Sequence, residues 1–220
     1  MDIEGLTSDG EGGFWLANEG NAEKLVPHAI LHVNAKGEIK KEISLPTELL
    51  AHQTRFGAEG IAKQGDTLWV AMQREWGDDP KGQVKLLAYD LDEEEWSAVA
   101  YPLEPKGEGW MGLSELTLHG DHAYVIERDN LIGDKAVVKK IFRVKLDDLK
   151  PVKLGETLPV VAKEEVLDLI PALKSATNGY VVDKVEGLAF DHEGNAWIVT
   201  DNDGVDDSSG ETLFWNAGKL

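Results

Sequence analysis

Four copies of one short motif run through the chain. Each copy begins with a β-prone run that contains a glutamate, continues through a turn rich in Gly and Asp, and ends in a second β-prone run with an aromatic residue. The copies are DIEGLTSDGEGGFWLANEG from Asp2, GAEGIAKQGDTLWVAMQRE from Gly57, GLSELTLHGDHAYVIERDN from Gly112 and VEGLAFDHEGNAWIVTDND from Val185. Such repetition predicts a repeat architecture, and turn residues between two β-prone runs predict a hairpin in every copy.

Further β-prone runs follow each hairpin and complete a four-stranded unit. They are residues 28–33 and 38–45, 84–91 and 96–103, 140–146 and 160–166, and a single run at 212–216 after the fourth hairpin. Four antiparallel strands per repeat are typical of a β-propeller blade. We therefore predict an all-β fold, a single propeller domain over residues 1–220, with blades at about 2–47, 57–104, 112–166 and 184–220.

The spacing of the repeats predicts long loops and an incomplete propeller. The glutamates Glu4, Glu59, Glu115 and Glu186 lie 55, 56 and 71 residues apart, more than the ~40–50 residues of a compact blade. Residues 48–56 contain a predicted helical turn, and residues 166–174 a short helix interrupted by Pro171. The fourth unit lacks its outer strand, so we expect the C-terminal portion of a larger propeller, with open blade edges that favour self-association.

Composition excludes several classes of partner and site. The chain has 41 acidic against 22 basic residues, a net charge of −19 and no cysteine. The negative charge disfavours nucleic acid and anionic membranes as partners, and the absence of cysteine excludes disulfides, thiolate metal sites and cysteine nucleophiles. No apolar run approaches the ~20 residues of a membrane span. Because Met1 leads directly into the first repeat, we expect no signal peptide in this chain.

The hairpins predict a ring of acids on one face of the molecule. A hairpin returns the end of its second strand to the side where its first strand began, and in a propeller that side surrounds the central channel. Residues predicted on this rim, besides the four glutamates of the motif, are Glu19, Gln73, Arg74, Glu75, Glu127, Arg128, Asp129, Asp201, Asn202 and Asp203.

Crowded carboxylates either have raised pKa values or recruit a cation. Oxygen ligands without cysteine or clustered histidine favour Ca²⁺ or Mg²⁺ over zinc. We therefore predict a Ca²⁺ site formed by Glu4, Glu59, Glu115, Glu186 and Asp203. The alternative for any single glutamate is that it caps backbone amides of the neighbouring blade or pairs with an arginine.

Three of the motif copies, taken in order, resemble a known family. The segments containing EGI, GLSEL with ERD, and EGL with TDND are similar to the phytase-like domain described as "esterase-like activity of phytase", a mostly bacterial and often exported propeller family. The resemblance implies a periplasmic or secreted protein. It also places Glu59, Glu75, Glu115, Glu127, Arg128, Asp129, Glu186, Asp201, Asn202 and Asp203 at positions characteristic of the family.

With the acidic rim, this resemblance suggests a Ca²⁺-dependent hydrolase of phosphate or carboxylic esters that acts on small anionic esters. In this hypothesis Asp201 or Glu127 activates water and Arg128 stabilises the developing negative charge. The Asp-Ala-x-Asp-Pro-Ala signature of alkaline propeller phytases is absent, which disfavours phytate. A serine esterase is disfavoured because no G-x-S-x-G elbow occurs.

Two other functions remain open on the sequence alone: a gluconolactonase-like lactonase, and a non-enzymatic module that binds a cation or a small ligand. Asp201–Ser209 resembles a calcium loop but has Thr212 where an EF-hand has its final glutamate. The recurrent aromatics Trp15, Trp69, Tyr124 and Trp197 are predicted to pack between blades, whereas Trp76 and Trp110 are predicted to contact a ligand.

Overall fold

The computed structural model describes residues 1–105, 107–202 and 212–220. Four antiparallel sheets are arranged as the blades of a four-blade β-propeller, which confirms the predicted fold class. Whether these blades belong to a larger propeller stays a prediction. No described helix is both long and apolar enough to span a bilayer.

The first two sheets follow the predicted order of four strands each. The first contains β1 (Ile3–Ser8), β2 (Phe14–Asn18), β3 (Ala29–Val33) and β4 (Ile39–Ser44). A one-turn helix, α1 (Thr47–Leu50), precedes the second sheet. That sheet contains β5 (Ala58–Gln64), β6 (Thr67–Met72), β7 (Gln83–Asp90) and β8 (Trp96–Pro102).

Before the chain completes the third sheet, it adds one short strand to the second sheet. Its strands are β9 (Met111–His119), β10 (His122–Asp129) and β11 (Lys139–Lys145). The chain then adds β12 (Val152–Lys153) to the edge of β8 and returns to pair with β11 as β13 (Glu164–Asp168). Helix α2 (Ile170–Ala176) leads to the fourth sheet, which contains β14 (Lys184–Phe190), β15 (Asn195–Asp201) and β16 (Phe214–Lys219).

Two details of the sequence interpretation are corrected by this path. The predicted outer strand at residues 160–166 is wrong in its first half, because Val160 bridges Ala100 of the second sheet and the Val161 amide donates to the Ala100 carbonyl at 2.9 Å. The predicted helix at residues 166–174 is wrong at its start, because residues 166–168 belong to β13 and the helix begins at Ile170. Pro171 therefore lies in the first turn of α2, where the missing amide hydrogen has no intrahelical partner to lose.

The innermost strands of the first three sheets pack backbone against backbone. A Cβ added to Gly5 would lie 2.3 Å from the carbonyl oxygen of Glu59, and one added to Gly60 would lie 2.1 Å from the amide nitrogen of Leu116. Both distances are too short for any side chain. The glycine of the motif is therefore required by the contact between neighbouring blades.

The first and fourth sheets are separated by a wide cleft. Gly187, the motif glycine of the fourth sheet, has only the Val199 side chain of its own sheet near the position that a Cβ would take, and nothing from β1. The cleft has a volume of about 1050 Å³, and Leu6 and Phe214 on its walls are 58% and 67% exposed. Self-association through this open side stays a prediction.

The recurrent aromatics have the predicted packing role in three of four blades. Trp15, Trp69 and Tyr124 are almost completely buried within the two apolar cores of the molecule. Trp197 is only partly buried, because it faces the open cleft, where it stacks on Phe214 with ring centroids 5.1 Å apart.

The contact at Gly60 gives a test of the blade packing. Gly60→Ala should lower the free energy of unfolding by about 3 kcal/mol, because the added methyl group overlaps rigid backbone of β9. Gly187→Ala is the matched control and should cost much less, since only the Val199 side chain must move. Urea unfolding with an unchanged m-value measures both. Equal losses in the two variants would contradict the packing described here.

Candidate functional site at the channel

A β-bulge turns the motif glutamate towards the channel in three sheets. The pairing between the first two strands of each sheet skips one residue, which is Glu4 between Ile3 and Gly5, Glu59 between Ala58 and Gly60, and Glu186 between Val185 and Gly187. A bulged residue leaves the regular alternation of the strand and is a common means of re-aiming one side chain.

In the third sheet the bulged residue is Ser114, not Glu115. Leu113 pairs with Glu127 and Glu115 pairs with Ile126, so that Ser114 is the residue skipped. The expectation that Glu115 is equivalent to the other motif glutamates is therefore wrong. The spacing to the aromatic contained the signal: Glu4, Glu59 and Glu186 precede it by 11, 10 and 11 residues, Ser114 by 10 and Glu115 by only 9.

Glu115 instead occupies the position of the motif glycine and spaces the third and fourth sheets. Its carboxyl accepts the amide of Leu116 at 2.8 Å and that of Leu188 in the next blade. This matches the alternative in which a glutamate caps amides of the neighbouring blade. Burial raises the pKa of Glu115 to about 8, so the group is largely protonated at neutral pH.

The three bulged glutamates lie close enough to influence one another. Burial raises the pKa of Glu59 well above its usual value, and the charges of Glu4, Glu186 and Glu19 add to the effect. Glu4 is solvent-exposed on the cleft side. Even so, desolvation by the surrounding protein and the carboxylates of Glu186, Glu19 and Asp2 raise its pKa to about 7.

Asp2, Glu4 and Glu19 form the tightest group of acids among the described residues. One carboxylate oxygen of each lies within 4.8 Å of the others. Burial raises the pKa of Glu19, whose Oε1 also accepts the amide of Phe56 at 2.9 Å. Asp2 was missed by the sequence reasoning, although it stands two residues before the motif glutamate.

Arg128 connects the third sheet to the fourth and neutralises one channel acid. Its guanidinium donates to Glu186 at 2.5 Å, to Asp183 at 3.1 Å and to the hydroxyl of Ser114 at 3.1 Å. Ser114 in turn donates to the carbonyl of Val185 at 2.9 Å. Arg128 is only 2% exposed, so its contacts are those of an ion pair that orients Glu186.

Glu59 has an uncharged partner at the equivalent place. Gln73 directly follows β6 and corresponds to Arg128 near the end of β10. Its side-chain amide donates a hydrogen bond to Glu59. Glu59 is 2% exposed and is therefore less accessible than Glu4 and Glu186.

Two predicted rim acids are buried structural groups. Glu127 has no exposed surface and accepts from Lys163 at 2.6 Å, from the Tyr101 hydroxyl at 3.1 Å and from a backbone amide. This enclosure argues against Glu127 as the residue that activates water. Asp129 accepts the amide of Val138 at 2.8 Å and pairs with the fully buried Lys139 at 3.1 Å.

The remaining rim residues lie at the surface or outside the described part of the chain. Asp201 is about half exposed, lines the cleft, and has the Lys184 ammonium 3.8 Å away. Glu75 is exposed and accepts the amide of Gly82. Asn202 follows β15 and is partly buried. Asp203, and with it most of the predicted calcium loop at 201–209, lies outside the described residues.

Trp76 and Trp110, both predicted to contact a ligand, differ in their exposure to solvent. Trp76 is 3% exposed and donates its indole N–H to the Phe56 carbonyl at 2.9 Å, so the expectation for Trp76 is wrong. Trp110 is partly exposed and has the guanidinium groups of Arg74 and Arg128 4.5 and 5.4 Å from its ring centroid.

The raised pKa of Glu115 predicts how stability depends on pH. The folded state retains a proton on Glu115 up to about pH 8, whereas the unfolded chain releases it near pH 4.5. The free energy of unfolding should therefore fall between pH 5 and 8, by at most about 1.4 kcal/mol per pH unit for one proton. Glu115→Gln keeps the acceptor for Leu188 and should make this slope less steep by the contribution of one proton, while Glu4 and Glu59, whose pKa values are also raised, still contribute. The exposed control Glu42→Gln should leave the slope unchanged. Identical slopes in all three proteins would show that Glu115 titrates normally.

Comparison with known proteins agrees with the resemblance noted in the motifs. A search of curated proteins finds no match to the chain. The family model described as "Phytase-like: Esterase-like activity of phytase" matches residues 1–204, which include the four bulged residues and the strands that position them. The chain therefore belongs to the phytase-like family.

Proposed function

We propose that the protein is a Ca²⁺-dependent hydrolase of phosphate or carboxylic esters, and that the ester binds where the channel opens into the cleft between the first and fourth sheets. The observation that carries this proposal is the convergence of Asp2, Glu4 and Glu19 beside Glu186, at one edge of a cleft large enough for a small molecule.

The donor set of this group fits Ca²⁺. Asp2, Glu4 and Glu19 offer only carboxylate oxygens, and Ca²⁺ binds six to eight oxygen ligands in flexible geometry. The raised pKa values of Glu4 and Glu19 are consistent with the assignment, because burial is their main cause, the charge of Asp2 adds to both, and a bound cation would stabilise the ionised carboxylates. Bound at these residues, Ca²⁺ would supply positive charge for an anionic substrate and its developing oxyanion.

This assignment replaces part of the metal set expected from the sequence. Glu186 is held by Arg128, Glu115 by two backbone amides and Glu59 by Gln73. These three carboxylates therefore already have protein partners, and in the proposal they shape the channel while Glu4 remains a ligand.

Asp201 is the proposed general base. Its side chain is about half exposed and lines the same cleft as Glu4 and Glu186. In the proposed step Asp201 accepts a proton from water while the water oxygen attacks the carbonyl carbon or the phosphorus. The bond to the leaving oxygen then breaks, and an aryl leaving group departs as a phenolate that needs no proton donor.

The cleft also supports the alternative of a non-enzymatic binding module. Its walls carry exposed apolar side chains, among them Leu6 and Phe214, above the acidic edge. Such a surface suits a ligand with an apolar body whether or not a reaction follows, and a propeller fold does not decide between the two roles. Export to the periplasm or the exterior remains part of the proposal because the family resemblance implies it.

Hydrolysis of aryl phosphates and aryl carboxylic esters tests the proposal. We expect release of nitrophenol in the presence of Ca²⁺, loss of that activity in chelator, and a fall in kcat of about 100-fold or more in Asp201→Asn. Glu42→Gln, an exposed acid on β4, is the matched control and should retain full activity.

Thermal unfolding separates the two candidate functions. Ca²⁺ should raise the Tm of the wild type and of Asp201→Asn, but not that of Glu19→Gln, which lacks one proposed ligand. A Ca²⁺-dependent Tm without turnover on any ester would favour the binding module. Absence of both effects would contradict the calcium site as well as the hydrolase.

A further inference from the structure

A second pocket, separate from the acidic group, lies between the loops that follow β6 and β8. It has a volume of about 330 Å³ and is lined by Arg74, Lys81, Leu103 and Trp110, among others. Two cations facing one pocket stand out in a chain with a net charge of −19.

Aromatic rings, not carboxylates, hold the side chain of Arg74. Its guanidinium carbon lies 4.4 Å from the ring centroid of Phe56 and 4.5 Å from that of Trp110. Contacts of this kind fix the plane of a guanidinium while leaving its N–H groups available. Phe56 itself has a left-handed backbone (φ 61°), which is strained for a bulky residue, and this conformation is secured by Glu19 and Trp76.

Arg74 has no hydrogen-bond acceptor and no ion-pair partner within the described part of the chain, and the same holds for Lys81. Arg128, by contrast, has three acceptors. Burial lowers the pKa of Arg74, and the charge of the nearby Glu75 carboxylate offsets this effect only in part. A planar guanidinium with free donors is suited to two-point binding of a carboxylate or phosphate.

The two acids of the pocket are engaged elsewhere. Glu75 accepts the backbone amide of Gly82, and Glu104 pairs with Lys163 at 3.1 Å. The lining also includes two apolar side chains, Leu103, which is partly exposed, and Met111, which is buried. The lining of the pocket thus combines two cations with apolar side chains.

We propose that this pocket binds a small organic acid, whose carboxylate or phosphate group pairs with Arg74 and Lys81 and whose apolar body packs against Leu103 and Met111. The site requires neither Ca²⁺ nor hydrolysis. It can therefore be tested separately from the function proposed above.

Calorimetric titration in the presence of chelator provides the test. Benzoate and phenylphosphonate are the probes with an apolar body, and acetate and inorganic phosphate are their counterparts without one. We expect both aromatic probes to bind more tightly than their counterparts, and the better of the two identifies the preferred anionic group. Arg74→Gln should weaken binding by about tenfold or more, whereas Arg143→Gln, which removes an equal charge at the distant pair with Glu164, should not.

The exposed Lys81 gives a second variant that leaves the aromatic contacts of Arg74 intact. Lys81→Gln should weaken binding of the same probe by a smaller factor than Arg74→Gln. The proposal would be overturned if none of the four probes bound the wild type. It would also be overturned if benzoate bound no more tightly than acetate and phenylphosphonate no more tightly than phosphate. Binding that is unchanged in both Arg74→Gln and Lys81→Gln would overturn it as well.

Discussion

The contact between innermost strands at the motif glycine determines most of the remaining structure. At Gly5 and Gly60 the backbones of neighbouring sheets are so close that no side chain would fit at either position. The preceding residue is bulged and its side chain turns to the channel. Blade packing and channel charge therefore depend on the same two adjacent residues. The motif glycine permits close packing of the blades, and the bulged glutamate before it places a carboxylate at the channel.

The third blade departs from this pattern in a way that compensates charge. Ser114 replaces the bulged acid, and Arg128 stands where Glu19 and Gln73 stand in the first two blades. The resulting arginine reaches across to Glu186. Near the cleft, Glu4 and Glu19 have no comparable ion pair among the described residues, although burial raises the pKa of Glu186 as well as those of Glu4 and Glu19. The channel thus has an ion-paired acid, Glu186, on one side and acids without an ion pair among the described residues, Glu4 and Glu19, on the other.

Hairpins, blade order and three of the aromatic core positions could be predicted from the sequence, because each depends on local turn chemistry and alternation. The partners of the acids could not. The ion pair between Glu127 and Lys163 joins residues 36 positions apart in the sequence. The ion pair between Asp129 and Lys139 depends on the path of the following strand. Glu115 was misaligned by one residue because a bulge shifts the register without changing the motif letters.

The central claim is that the bulged glutamates share one electrostatic environment, and carboxyl carbon NMR of the glutamate side chains tests it most directly. In a pH titration of the wild type, the account predicts a glutamate resonance that titrates near pH 7, is absent in Glu4→Gln, and titrates at lower pH once Ca²⁺ is added. If every glutamate carboxyl apart from Glu115 and the buried Glu59 titrated near pH 4.5, with no effect of Ca²⁺, the acids would be electrostatically independent and the account would be contradicted.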